Sequence, residues 1–363
     1  MPIAAAGVVL LMLLWYALAH DPADSPAGAG ENIAAAARSG LPGDAAGTAA
    51  DGKGDGDVTV VAATPGPSGC QTGRTLPAGV TTESVTVGST KRTYLLAVPP
   101  ATDNDQSRPL ILNFHADGQA PTDVEAYTGL AGEATKRGYV VVDPAGVDNQ
   151  WNLTRSGAVG QADGAFVAAL LNDLRGRGCF ADGRVFAVGY GDGADMAVAA
   201  SCALPGRIAA IVSVAGSTVP PSCAKTITNL LEVHGAADQI APWDGGGAPR
   251  TGVTAQSVPE RLGRYAQAAG CSAAPKPQPL PGLGQLTAWT CDGKPDVGAL
   301  SVNGGGHTWP QAQARPELGP TATSFSATVV SLLYFQAHPV VGSVVSAGSP
   351  GIGDSLGRAL AGG

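Results

Sequence analysis

Four short segments hold the residues best suited to chemistry. Gly189-Tyr190-Gly191-Asp192-Gly193 follows the apolar run Arg184–Val188 and leads into a helical pattern. A sharp strand-to-helix turn with small residues two places either side of its centre is how a chain presents a nucleophile. The centre here is Gly191, which has no side chain to attack with. Downstream, Asp238 in the segment His234–Pro242 could orient an imidazole, and His307 in Asn303–Pro310 could supply one. A carboxylate-held histidine is the proton acceptor of acyl transfer. The fourth segment, His115–Gln119, follows the run Leu110–Phe114. Backbone N–H groups of Ala116 or Asp117 there, with that of Asp192 after the turn, could stabilise a developing oxyanion.

The elements around these segments alternate. Strands are expected at Arg92–Val98, Leu110–Phe114, Tyr139–Val142, Arg184–Val188, Ile208–Val214 and Leu230–His234. Helices are expected at Ala126–Arg137, Phe166–Leu174, Gly193–Ala203, Val258–Ala269 and Ala322–Phe335. Short apolar strands alternating with helices give a doubly wound, mostly parallel sheet with helices on both faces. In such α/β sheets the site lies beyond the carboxyl ends of the strands, where the four segments fall. The order nucleophile position, acid, histidine is that of the α/β-hydrolase fold, here as a single domain.

Larger stretches resemble the secreted esterase family that contains polyhydroxybutyrate depolymerases, feruloyl esterases and acetylxylan esterases. The resemblance rests on RTYLLAVPP, the H-x-x-G-Q loop, DPAG with QWN, CFADGRVFAVG, ALPGRIAAIVSVAG, HGAADQIAPWDGG, SVPERLGRYAQAAGCS and GGGHTWP, in that order from about Ser68 to His338. It implies carboxylic-ester hydrolysis with Asp238 and His307 as acid and base. It also implies a cleft lined by Trp243 and Trp309, no cofactor and no metal. Disulfides would pair Cys70 with Cys179, Cys202 with Cys223, and Cys271 with Cys291.

The chain departs from that family where chemistry matters most. The family elbow reads glycine-x-serine-asparagine-glycine-glycine, and this chain has Gly191 and Asp192 at its third and fourth places. Ala116 stands for a glycine of the oxyanion loop, and Asp117 adds a carboxylate, which would repel a developing oxyanion. Asp192 cannot replace the serine as nucleophile, because its turn would need Tyr190 to be small. The expectation is therefore a relative impaired in hydrolysis that binds a small or polymeric ester or an envelope component. The alternative is an active hydrolase in which His307 activates water or an unrecognised nucleophile serves. Asp117, Asp192 and Asp195 read as an acidic rim or helix-start caps. His115 and His234 read as structural residues.

Composition bounds the partners. The net charge is −8 with 14% charged residues, so no basic surface for nucleic acid is expected. A monomer is expected. Ile3–Ala19 is an apolar run ending Ala-Leu-Ala, which reads as a cleaved export signal or an uncleaved membrane anchor. Either places the protein outside the cell or in the envelope, with membrane contact only through that segment. Residues 1–19 are thus signal or anchor, and 20–68 an Ala/Gly/Asp/Pro-rich linker with too little apolar surface to order itself. Residues 69–338 form the esterase-like domain, and 339–363 a loose tail. An even set of six cysteines suits an oxidising compartment.

Overall fold

The structure is a computed structural model and describes residues 68–101, 107–152, 158–219, 228–246, 256–271, 276–289 and 296–338. The readings of 1–19, of 20–67 and of the tail 339–363 lie outside these residues, as do Cys223 and Cys291.

The described residues build a ten-stranded sheet in the order β1-β2-β4-β3-β5-β6-β7-β10-β9-β8. The strands are β1 (Gly79–Val87), β2 (Thr90–Val98), β3 (Arg108–Phe114), β4 (Val140–Pro144), β5 (Phe180–Tyr190), β6 (Ala210–Val214), β7 (Asn229–Gly235), β8 (Gln278–Leu280), β9 (Gly284–Trp289) and β10 (Val297–Val302). From β4 to β10 all neighbours are parallel, and antiparallel strands flank them on both edges. This is the α/β-hydrolase fold. From β3 the chain steps to β4 on one side and then to β5 on the other. The loops after β3 and β5 therefore diverge and leave a crevice at the strand ends.

Helices cover both faces. They are α1 (Gly69–Thr72), α2 (Pro121–Thr128), α3 (Leu130–Ala134), α4 (Ala158–Arg177), α5 (Asp192–Ala203), α6 (Val258–Ala268) and α7 (Ala327–Ala337). Alternation along the strands feeds two cores, since successive residues of a strand point to opposite faces. Leu110, Leu112 and Phe114 of β3 pack with Phe166, Met196 and Leu262 from α4, α5 and α6. Ile111 joins Tyr127, Leu130, Val330 and Phe335 from α2, α3 and α7.

Several element boundaries differ from the sequence reading. The helix expected at Ala126–Arg137 breaks at Gly129, whose φ of 59° ends α2 and starts α3. The last helix begins at Ala327, where the Ser326 hydroxyl accepts from the Val329 amide. The strands β1, β8, β9 and β10 were not read. Cys70 and Cys179 form the expected disulfide. Cys202 and Cys271 are also disulfide-bonded.

One buried ion pair ties the strand layer to the loop after β4. Arg92 on β2 lies 2.8 Å from Asp163 on α4 and also donates to the Ala145 carbonyl. Its guanidinium covers the Phe166 ring at 4.1 Å, and Asp163 accepts from the Asn152 amide. Removing one partner strands a buried charge, at a cost of about 3–5 kcal/mol. Arg92→Ala should lower urea-unfolding stability by that amount. A loss within about 1 kcal/mol, as for an exposed pair, would mean that the pair carries no load.

Candidate functional site

The strand end of β5 turns sharply into α5. Gly191 sits between them with φ 57° and ψ −124°, and its N–H donates to the Val214 carbonyl of β6. The turn is tight enough that its flanks admit no side chain. A Cβ on Gly189 would fall on the Gly193 carbonyl, and one on Gly193 would fall on the carbonyls of Phe114 and His115. The position between them is different. A Cβ on Gly191 would point into the crevice, 3.3 Å from His307 Nε2 and 3.3 Å from the Ala116 methyl. Gly191 is the residue at the tip of this turn, and Tyr190 is buried with its hydroxyl donating to the His307 carbonyl at 2.6 Å.

Asp238 and His307 meet although 69 residues separate them, with Asp238 Oδ2 2.8 Å from His307 Nδ1. Their loops follow the parallel neighbours β7 and β10, and the backbones touch closely, so that a Cβ on Gly235 would strike the carbonyls of Gly305 and Gly306. Asp238 is 5% exposed, and its side chain is fully buried. Its Oδ1 accepts the amides of Ile240 and Ala241, each at 2.8 Å. Burial would raise its pKa, but hydrogen bonds from His234 and His307 outweigh burial and hold it well below the usual carboxylate range. His307 is thus anchored through Nδ1, with Nε2 directed at the tip of the turn. Among the described residues no side chain hydrogen-bonds to that nitrogen.

The loop after β3 is a closed turn. The Gln119 amide donates to the Ala116 carbonyl, and the Gly118 amide donates to the Asn149 carbonyl. The Ala116 amide donates to Gln119 Oε1 at 3.2 Å. The Ala116 N–H is thus turned onto the Gln119 side chain, and its methyl forms the wall opposite Gly191. Asp117 is half-buried, and Asp192 is exposed in the first turn of α5.

The other expected residues fall out as follows. Trp309 is 1% exposed and packs in the core, with its indole N–H on Thr328. It is no part of a cleft, because the apolar ring is enclosed between the strand layer and α7. Trp243 is half-buried and meets the His234 ring at 6.0 Å. Asp195 does not rim the site. It is buried and accepts from the Ser217 amide and hydroxyl and the Thr218 amide, while burial pushes its pKa up to about 6. His115 is structural as read. Its Nε2 accepts from the Gly146 amide, so Nδ1 carries the proton to the Ala116 carbonyl, and burial lowers its pKa. Trp151, whose indole donates to the His115 carbonyl, was missed. So were the buried Glu232 and Arg261, which form a polar row with His234 next to Asp238. Its sequence signal was present, since Glu232 and His234 alternate on one strand and so share a face. Among the described residues no cluster of three His, Cys, Asp or Glu side chains could hold a metal ion, and no helix is long and apolar enough to cross a membrane.

The chain is similar to two proteins named as esterases. The chain is 29% identical over 252 residues, 63% of its length and 73% of the relative's, to the protein named "Putative esterase NocK" of Nocardia uniformis subsp. tsuyamanensis. It is 25% identical over 235 residues to Feruloyl esterase B of Piromyces equi, of which it spans 42%. Among solved structures, the acetyl xylan esterase from Aspergillus awamori matches with a TM-score of 0.46 and 14% identity, over 63% of this chain and 94% of that one. No family model matches.

The elbow's demand for bare backbone is directly testable. Gly193→Ala should destabilise the protein by roughly 2–4 kcal/mol, as overpacking against unyielding backbone does. Gly132→Ala, in α3 with open space around its Cβ, should be neutral or stabilising by up to about 1 kcal/mol. Equal urea midpoints for the two variants would contradict this packing.

Proposed function

We propose that this chain is an exported α/β-hydrolase-type protein related to polyhydroxybutyrate depolymerases and feruloyl esterases, impaired in ester hydrolysis. Its crevice would bind a small or polymeric ester, or an envelope ligand, without cleaving it efficiently. One observation carries this reading: the Asp238–His307 pair is assembled and aims its free nitrogen at a residue without a side chain. The similarity to esterases supports the ester class of ligand. The apolar run Ile3–Ala19 supports export. Asp117 and Asp192 would further weaken an oxyanion site.

The same observation favours a second reading. His307 Nε2 faces the space that Gly191 leaves, and a water there could be activated directly. Hydrolases lacking a triad member keep roughly 10³–10⁴-fold acceleration over water.

Hydrolysis of short-chain p-nitrophenyl esters separates the two. The native protein should sit at background, and Gly191→Ser should exceed it by at least about tenfold, because a placed serine completes a nucleophile-base pair. The serine would occupy a positive-φ turn and should cost about 1–3 kcal/mol in stability. Native activity that His307→Ala abolishes would sink the first reading in favour of the second.

A further inference from the structure

His234 lies at the end of β7, 1% exposed, and both its ring nitrogens face only acceptors. Nδ1 is 2.8 Å from Glu232 Oε1. Nε2 is 2.6 Å from the Ala241 carbonyl oxygen and 3.3 Å from Asp238 Oδ2. A neutral imidazole has one N–H and one lone pair. In either tautomer, one lone pair would point at an oxygen lone pair in a buried site. Glu232 Oε1 already accepts from the Gly216 amide and faces Arg261, which keeps this carboxylate ionised, so only the doubly protonated ring satisfies both contacts.

We propose that His234 is a buried counter-ion, protonated at neutral pH, that holds Asp238 ionised and in place, and so is a positioning residue for the Asp238–His307 pair. This rests on the reading of that pair as the site's acid and base. The charges around it alternate. Arg261 on α6 lies 3.4 Å from Glu232 Oε1 and donates to the Gly216 carbonyl, whose own amide donates to Glu232. The row runs Arg261, Glu232, His234, Asp238, His307. Asp238 Oδ2 is shared by the two histidines, one on each side. Trp243 faces the His234 ring and adds no charge. Burial and Arg261 oppose the His234 charge, while Asp238 and Glu232 favour it and prevail, raising its pKa to about 9.

The sign of the linkage follows. A histidine whose folded pKa exceeds its unfolded value near 6.5 stabilises fully below that value, and the stabilisation is lost as pH rises through the folded pKa. The native urea midpoint should therefore fall between pH 6.5 and 9. A flat midpoint across that window would count against a charged His234.

The deciding measurement is nitrogen-15 NMR of the five histidines in the full chain. At pH 7.5 His234 should show both nitrogens protonated, with His115 as a neutral internal reference. In His234→Gln, carboxyl carbon-13 titration should show Asp238 binding its proton about tenfold more tightly than in the native protein, since one pH unit is tenfold. Glu232→Gln provides a second variant, in which the His234 cation should lose its proton at lower pH. A neutral His234 in the native protein would overturn the proposal, whether or not either variant folds. An unchanged Asp238 titration in folded His234→Gln would remove its positioning role. Neither result depends on hydrolysis, so ester turnover by the native protein would leave this inference standing.

Discussion

Asp238 carries a negative charge at 5% exposure, and the arrangement of the site follows from how that charge is satisfied. An isolated buried carboxylate would take up a proton instead of staying ionised. Here two backbone amides of its own loop take one oxygen and two imidazoles take the other. The amides fix the loop after β7. The His234 contact ties that loop to the strand, and the His307 contact reaches across to the loop after β10. Because β7 and β10 are parallel neighbours, both loops leave the sheet at the same end, which lets the contact form without a long reach.

The second constraint is steric. Gly189 and Gly193 press backbone on backbone, which forces the turn between β5 and α5 and leaves one position facing the crevice. The shape survives although that position holds no reactive group. Elbows of this kind normally hold a non-glycine residue at positive φ, at a cost of about 1–3 kcal/mol. Gly191 relieves that strain. The chain thus keeps the geometry of a nucleophile turn while avoiding its conformational cost.

Much of this was legible in the sequence, and the exceptions have physical causes. LILNF, YVVV and RVFAV are continuous apolar runs, as strands buried on both faces must be. β10, VGALSV, is equally buried, but Gly298, Ala299 and Ser301 interrupt its branched residues, so no continuous apolar run marks it. The exposed edge strand β1 likewise lacks an apolar run. The tip, acid and histidine were readable because each follows a strand end and their chain order is constrained. Trp309 is buried where the resemblance implied a cleft wall, because packing and the Thr328 hydroxyl set the direction of its indole. The Gln119 carboxamide that accepts the Ala116 amide becomes apparent only when the turn is built. The acceptors around His234 come from Glu232, Asp238 and Ala241, close by in sequence, but that all three converge on one ring becomes apparent only when the strand end is built.

The Asp238–His307 pair is assembled against an elbow whose tip is a glycine. Intact-mass analysis after treatment with a fluorophosphonate, alongside Gly191→Ser, probes this arrangement. No adduct should form on the native chain, and a single adduct should form at position 191 in the variant. An adduct on the native protein, mapped to a residue beside His307 and lost in His307→Ala, would show instead that the native site holds a nucleophile.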